Sequence, residues 1–326
     1  MARDSQLQIT FLDAGTVDLG DVDLSALKKA GTVNFHVHST PEEVLEKSRG
    51  AHVVITNKCV LDEGILKSLP DLRLICVAAT GVNNVDLKAA ERLGVAVTNV
   101  AGYSTPSVVE HAFLLMLAFS HRLFEHHQSV VSKVWSNSPH FALFDFPFSD
   151  LEGKTLGIVG FGAIGKKVAT LAKAFGMNVL VAKIPGRKYP QGGKGRQPLD
   201  KVLKESDFVS LHCALTPETH SMMNTKRLNI MKKTAYLLNL SRGPVVNEWA
   251  VAEVLQAGRL AGYGADVMEH EPPPPNHPFF QEALKNKVLL TPHIAWASRE
   301  SRQRLLNEIA ANIEAFKKGR KKNRLV

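Results

Sequence analysis

Strand-like and helix-like stretches alternate along the first hundred residues. LQITFL, VNFHV, AHVVIT, LRLICVAA and GVAVTNV are short apolar runs, and PEEVLEKS, DEGILKSL and VDLKAAERL lie between them with helical character. Strand then helix, repeated, predicts a parallel sheet with helices on its faces. A longer helical stretch follows, TPSVVEHAFLLMLAFSHRLFEHHQSVV. Pro106 suits its first turn, and Thr105 or Ser104 its cap. The aromatic segment VWSNSPHFALFDFPFSD then interrupts the pattern and reads as an arm that packs on something outside its own domain. At Leu151 the alternation restarts and continues through KTLGIVG, NVLVA, FVSLH, AYLLNL, GYGADV and VLLTPH. A last helix is expected from about Ser298 to Lys318. No short tandem repeat is present, but two α/β units are.

Composition changes this picture little. The chain has 326 residues, 44% hydrophobic and 22% charged, which suits a soluble globular protein of about two domains. Cys59, Cys76 and Cys213 are far apart and form no paired framework, so buried, reduced thiols are expected. The N-terminal MARDSQLQIT lacks the apolar core of a leader, and AFLLMLAF is too short to span a bilayer. A soluble, cytoplasmic protein is the expectation. The net charge of +9 is concentrated partly in the tail FKKGRKKNRLV. With no nucleic-acid motif beside it, the tail reads as the solvated end of a helix.

Candidate chemistry begins at residues 160 to 165, GFGAIG. The strand TLGIV precedes this motif and the helix KKVATLAKAF follows it, the context that dinucleotide binding requires. Gly160 permits the tight turn, Gly162 lets backbone approach a pyrophosphate, and Gly165 lets helix and strand pack closely. The helix N-terminus offers N–H groups to the phosphates. Beyond the next strand, NAD-preferring sites place an acid on the ribose hydroxyls. Here Lys183, Arg187 and Lys188 stand instead, so the cofactor is expected to be NAD(P)H with a lean to NADP(H).

Three further residues fall at or beyond the carboxyl ends of expected strands, where open α/β sheets bind ligands. They are Arg242 in NLSRGPVVNE, Glu271 in MEHEPPPPNHP and His293 in TPHIAWAS. An arginine fork matches a carboxylate, and histidine exchanges a proton near neutral pH. A carboxylate beside the ring orients it and favours its charged form. With a nicotinamide, the set suits hydride transfer to a 2-oxo acid, with His293 giving the proton. Glu269 competes with Glu271 for this role. Pro272 restricts the residue before it, so Glu271 is the expected partner and Glu269 a solvated neighbour. The four prolines then form a stiff connector rather than a docking ligand. His126 and His127, beside Glu125, diverge by about 100° on a helix and do not make a metal site, so no metal is expected.

Together GIVGFGAIG, HCALTPET, LLNLSRGPVVNE, ADVMEHEP and TPHIAWAS resemble the D-isomer-specific 2-hydroxyacid dehydrogenase family over almost the whole chain. The resemblance implies two doubly wound parallel-sheet α/β domains, a Rossmann coenzyme domain inserted into a flavodoxin-like substrate domain. The substrate domain would take 1–101 and 296–326, the NAD(P)-binding domain with its dimerisation arm 102–295, and substrate would lie in the cleft. It implies that Arg242, Glu271 and His293 are the catalytic set. Cofactor contacts would come from Gly160, Gly162, Ala163, Ile164, Gly165, Lys183, Arg187, Thr105, His212, Leu240 and Asp266, the last on the nicotinamide carboxamide. Asn57, Thr80, Gly81 and Val82, with Arg242 and His293, would bind substrate. A homodimer through the coenzyme domain is implied, with Trp135 expected in its interface; no nucleic acid or membrane partner is. HEPPPPNHP followed by TPHIAWAS looks most like the glycerate dehydrogenase, or hydroxypyruvate and glyoxylate reductase, branch. The chain ends soon after its last helix, which speaks against the long phosphoglycerate dehydrogenases. Alternatives are a formate, phosphite or 3-phosphoglycerate enzyme, or a cofactor-sensing corepressor-like protein without turnover.

Overall fold

A computed structural model describes residues 7–326; the start of the MARDSQLQIT segment lies outside the described residues. The chain divides into two compact units. One holds the chain up to Ser104 together with Trp296–Val326, the other Thr105–Ala295. The expected boundaries lay at residues 101 and 295.

The first unit carries strands β1 (Gln8–Phe11), β2 (Thr32–Phe35), β3 (Val53–Thr56), β4 (Leu74–Val77) and β5 (Ala96–Thr98). All pair in parallel, in the order β2-β1-β3-β4-β5. β3 and β4 are buried at every position because helices cover both sheet faces. Four short helices lie between the strands: α1 (Ser25–Ala30), α2 (Glu43–Ser48), α3 (Glu63–Lys67) and α4 (Leu87–Arg92). Asp62 and Asp86 cap α3 and α4, each accepting a backbone N–H of the first turn. One face of the sheet packs on the chain's last helix, residues 299–317. That helix buries Leu305, Ile309 and Ile313, spaced four apart, against Ile9, Phe11 and Leu74. Arg302 anchors it by a two-pronged ion pair to Asp21.

The second unit opens with α5 (Thr105–Ser120) and α6 (Leu123–Val131). The pattern predicted one helix here. The break is at Arg122, which adopts a left-handed backbone at φ +49° and binds Glu125 in the first turn of α6. No glycine or proline marks the site, so periodicity gave no warning of it. After the arm come β6 (Thr155–Val159), α7 (Ala163–Ala174), β7 (Asn178–Val181), α8 (Leu199–Glu205), β8 (Phe208–Leu211), α9 (Thr225–Ile230), β9 (Tyr236–Asn239), α10 (Glu248–Gln256), β10 (Gly262–Ala265) and β11 (Val288–Leu290). The sheet is parallel throughout, in the order β11-β10-β9-β8-β6-β7. The last helix of the chain, α11 (Arg299–Lys317), belongs to the first unit. Among the described residues, no helix is long and apolar enough to cross a membrane.

Both sheets are doubly wound, and each has a switch point where the strand order reverses, between β1 and β3 and between β6 and β8. Ligands of open α/β sheets bind beyond the carboxyl ends of strands at such points. In the second sheet the register aligns Val159, Leu211, Asn239, Ala265 and Leu290 across the sheet. The residues one step further, Gly160, His212, Leu240, Asp266 and Thr291, therefore form a row along that edge.

Candidate active site

Gly160 follows β6 at φ +104°, and a Cβ there would run into the backbone of His212 and Cys213 beyond β8. Only glycine satisfies both conditions. A Cβ at Gly165 would collide with the Gly160 carbonyl oxygen, so this position fixes how closely α7 approaches the strand. Gly162 differs, because a Cβ there would meet nothing within 4 Å. It is the N-cap of α7, and no side chain caps the helix. Open space in front of uncapped N–H groups fits a dinucleotide pyrophosphate. Ala163 and Ile164 lie in that first turn.

Beyond β7, Tyr189 organises the basic residues. Its hydroxyl accepts the Ile184 N–H at 2.9 Å, and Arg187 lies 5.5 Å from its ring centre. Arg196 lies 5.0 Å from the same ring and 5.8 Å from that of Phe161, inside the glycine turn. Arg196 was not among the expected residues; in sequence it ends a glycine- and lysine-rich loop that reads as solvated. The cation beside the glycine motif is thus brought there by packing on two aromatic rings.

Arg242 follows β9 through a turn that Asn239 builds. Asn239 is fully buried, and its Oδ1 accepts both the N–H and the hydroxyl of Ser241. Its Nδ2 donates to the Arg242 carbonyl. The Arg242 guanidinium donates to the Ser241 carbonyl at 2.7 Å. A Cβ at Gly243 would overlap the peptide joining Met268 to Glu269, so the arginine turn lies directly against the start of the proline segment. In that segment Glu271 uses both oxygens. Oε1 accepts the Met268 N–H at 2.9 Å, and Oε2 meets His293 Nδ1 at 2.6 Å. A carboxylate only accepts, so Nδ1 carries the proton in this pair. The Glu271–Pro272 peptide is cis.

His293 stands two residues beyond Thr291 at φ +55°, a backbone conformation uncommon outside glycine. Asp266, buried at the end of β10, holds this turn. Its Oδ1 accepts the Thr291 hydroxyl at 2.6 Å and the Ile294 N–H at 2.8 Å, and its Oδ2 accepts the Ala295 N–H at 2.8 Å. Thr291 Oγ1 in turn lies 2.9 Å from His111 Nε2. Since the threonine proton goes to Asp266, this ring nitrogen is the donor. Burial lowers the pKa of His111, which Asp266 opposes.

A glycine turn with open space before a helix N-terminus thus shares one sheet edge with an arginine and a glutamate–histidine pair. Residues 113–295 match the family model of the D-isomer specific 2-hydroxyacid dehydrogenase, NAD binding domain. The chain belongs to this family. It is 40% identical to the glycerate dehydrogenase of Methylorubrum extorquens over 284 residues, 87% of this chain and 88% of that one. It is 41% identical to the glyoxylate reductase of Korarchaeum cryptofilum over 262 residues, 79% and 77% of the two chains. Among solved structures, D-lactate dehydrogenase from Aquifex aeolicus, complexed with NAD and lactic acid, is 31% identical with a TM-score of 0.80, covering 95% of this chain and 96% of that one. The protein is therefore an oxidoreductase with a nicotinamide-cofactor domain.

The remaining expected residues of this dehydrogenase are held in local networks. His212 meets Ser210 Oγ through Nε2 at 2.9 Å, while its Nδ1 is buried without a partner, and burial pushes the imidazole down to about 4. Leu240 is buried, as is Thr105 at the start of α5. In the first unit Asn57 donates its Nδ2 to Thr16 Oγ1, and Asp13 accepts the backbone N–H groups of Asn57, Lys58 and Cys59. The Thr80 hydroxyl donates to the Val100 carbonyl, and Gly81 and Val82 are half-buried. Burial raises the Cys59 and Cys213 thiols to about 11 and the Cys76 thiol to about 12, which keeps them protonated. Among the described residues no group of three His, Cys, Asp or Glu forms a metal site. His126 takes the rings of Phe146 and Phe148 edge-on. In the arm, Phe141 and Phe144 are almost fully exposed, and the Trp135 indole donates to the Phe141 carbonyl.

Two buried residues carried no sequence signal. Glu248 opens α10 and His277 ends the proline segment, and their side chains meet at 3.0 Å. Burial raises the Glu248 carboxyl to about 7, against the pull of the Glu269 N–H, and lowers the His277 imidazole. A lone glutamate in a first helical turn and a lone loop histidine are both ordinary. Only the fold, which joins them across 29 residues, makes them a pair.

Proposed function

We propose that this dehydrogenase reduces a small, polar 2-oxo acid, hydroxypyruvate or glyoxylate, to the D-2-hydroxy acid with NAD(P)H. The observation that carries this reading is the bond from His293 Nδ1 to Glu271 Oε2, whose other oxygen is pinned by the Met268 N–H. With Nδ1 committed to the carboxylate, Nε2 is the nitrogen that gives a proton to the substrate carbonyl oxygen. When bound, the dihydronicotinamide supplies the hydride that adds to the carbonyl carbon. His293 is left neutral after the step and regains its proton from solvent. Glu271 fixes the orientation of the ring and its tautomer. Arg242 takes the substrate carboxylate, which a guanidinium fork matches in two hydrogen bonds. Proton transfer from a positioned group contributes roughly 10²–10⁴-fold. Hydroxypyruvate is the 2-oxo counterpart of the glycerate named for one relative, and glyoxylate is named for another.

For the cofactor, Lys183, Arg187, Lys188 and Arg196 support NADPH over NADH, since cations around Tyr189 suit a 2′-phosphate and the loop offers no acid to the ribose. Gly160, Gly162 and the first turn of α7 hold the phosphates; His212, Leu240 and Asp266 line the same edge. The exposed aromatic arm is assigned to a homodimer.

The test is a kinetic panel of hydroxypyruvate, glyoxylate, pyruvate, formate and phosphite with each cofactor, beside His293→Ala. Turnover of hydroxypyruvate or glyoxylate, better with NADPH and lost by at least 10²-fold in His293→Ala, is expected. No turnover of any 2-oxo acid, or an undiminished His293→Ala rate, overturns the reading. A strong NADH preference overturns the cofactor part alone.

A further inference from the structure

The proline segment between Met268 and Pro278 contains no helix or strand, yet it holds a carboxylate against an imidazole 22 residues away. Its backbone must be tied elsewhere. Both of its ends are tied to one buried side chain. Glu248 Oε1 accepts the Glu269 N–H at 2.8 Å, two residues before Glu271, and Oε2 meets His277 Nε2 at 3.0 Å, six residues after it. Glu248 is only 2% exposed.

The proton on the imidazole is fixed by its surroundings. His277 Nδ1 accepts the Phe279 N–H at 3.3 Å, so in the neutral ring Nε2 carries the hydrogen and donates to Glu248. Phe279 stands against the ring at 4.8 Å between centres, with Phe280 and Trp249 at 6.0 and 6.2 Å. The His277 N–H closes a turn onto the Pro274 carbonyl. Gly243, next to Arg242, packs on the same Met268–Glu269 peptide whose N–H Glu248 receives.

We propose that Glu248 and His277 are positioning residues for the reaction: the pair clamps both ends of the proline segment and thereby keeps Glu271 in register with His293. The proposal rests on the reading of His293 as proton donor and Glu271 as its orienting partner. Neither Glu248 nor His277 touches substrate or cofactor in this scheme. They act through Glu271, and their loss acts on the step that Glu271 serves.

Glu248→Gln is a sharp probe, because the amide keeps one oxygen for two donors. Either the Glu269 N–H or the His277 N–H must then face an NH₂ group. The expected result is a fall in kcat of about tenfold with KM for NADPH within twofold of wild type. The alkaline limb of the kcat/KM profile moves in the same direction as in Glu271→Gln. In the double variant Glu248→Gln/Glu271→Gln, kcat is no lower than in Glu271→Gln alone, because the two changes remove one function. A lower Tm with kcat and profile unchanged would reduce the pair to a structural tie and overturn the proposal, as would losses that multiply in the double variant. Should Glu248→Gln fail to fold, His277→Phe and His277→Gln take its place. Phenylalanine keeps the bulk and loses the bond, whereas glutamine keeps an N–H donor for Glu248 and recovers most of the loss. Equal losses in both, or none in His277→Phe, overturn the proposal. Undiminished rates in His293→Ala and Glu271→Gln would instead bring down the proton-donor reading, and this proposal with it.

Discussion

Replacing Asp266 by asparagine tests how the histidine turn is held. The carboxylate receives three donors: the Thr291 hydroxyl and Ile294 N–H on Oδ1, and the Ala295 N–H on Oδ2. An asparagine that keeps its oxygen on the Oδ1 side turns an NH₂ towards the Ala295 N–H. An unsatisfied buried donor costs about 1–3 kcal/mol, and the two surviving bonds fall from charge-assisted to neutral strength, about 1 kcal/mol each. The sum is about 3–5 kcal/mol, set against a backbone at His293 that is itself uncommon and costs on the order of 1–3 kcal/mol to hold. Amide hydrogen exchange reads this locally. At about 3 kcal/mol the Ile294 and Ala295 amides exchange roughly two orders of magnitude faster, since each 1.4 kcal/mol is tenfold. Thr291→Val removes one of the three bonds and should give a smaller acceleration, and kcat should fall in the same order. Protection of both amides within fivefold of wild type in Asp266→Asn would refute the assignment of Asp266 as the clamp of this turn.

Three further outcomes follow from the geometry. Gly243→Ala drives a methyl group into the Met268–Glu269 peptide, so a loss of stability of about 1–3 kcal/mol is expected by urea denaturation, with a fall in kcat because the Arg242 and Glu271 loops separate. Glu271→Gln should lower kcat by about 10²-fold or more, because the amide no longer fixes the His293 ring and its tautomer; Glu269→Gln, whose side chain is exposed, should leave kcat unchanged. The His212 imidazole is pushed down to about 4 by burial, so the unfolded chain binds its proton first. That contribution to stability is intact above about pH 6.5 and is lost as pH falls towards 4, by about 3 kcal/mol in all; in His212→Gln the unfolding free energy should be flatter over this window, measured by denaturation at several pH values.

The alternation of strands and helices was legible because both sheets are buried on two faces, which makes strands such as VVIT and LICV continuously apolar. The glycine turn was legible because Gly160 and Gly165 stand where a Cβ would meet backbone, and Gly162 leaves the space before α7 open. The break at Arg122 was not, since a left-handed arginine leaves no mark in composition. Glu271 could be preferred to Glu269 in advance, from the proline that follows it. The residue that ties Glu269's own backbone, Glu248, could not, because its partners lie 21 and 29 residues away and only strand order brings them together. Arg196 was hidden similarly: its neighbours Phe161 and Tyr189 belong to a glycine turn and a basic loop that look unrelated along the chain.

Four buried side chains share a physical position, and of these only Asp266 was named from the sequence, as a cofactor contact rather than as a clamp. Asp13, Asn239, Asp266 and Glu248 are buried polar side chains, and each accepts backbone N–H groups of a loop that carries candidate chemistry. Loops at the carboxyl ends of strands have no ladder to satisfy their N–H groups. A buried acceptor supplies the missing partners and at the same time fixes where the loop's outward side chains point. Apolar packing alone would leave the Arg242, Glu271 and His293 loops free to slide, because it is non-directional, whereas an acceptor shared between donors of one or two loops defines a single register. The precision of the site therefore resides one layer beneath the residues proposed to perform the reaction. Substitutions in that layer should lower kcat without weakening cofactor binding in proportion. That split separates loss of positioning from loss of a binding contact.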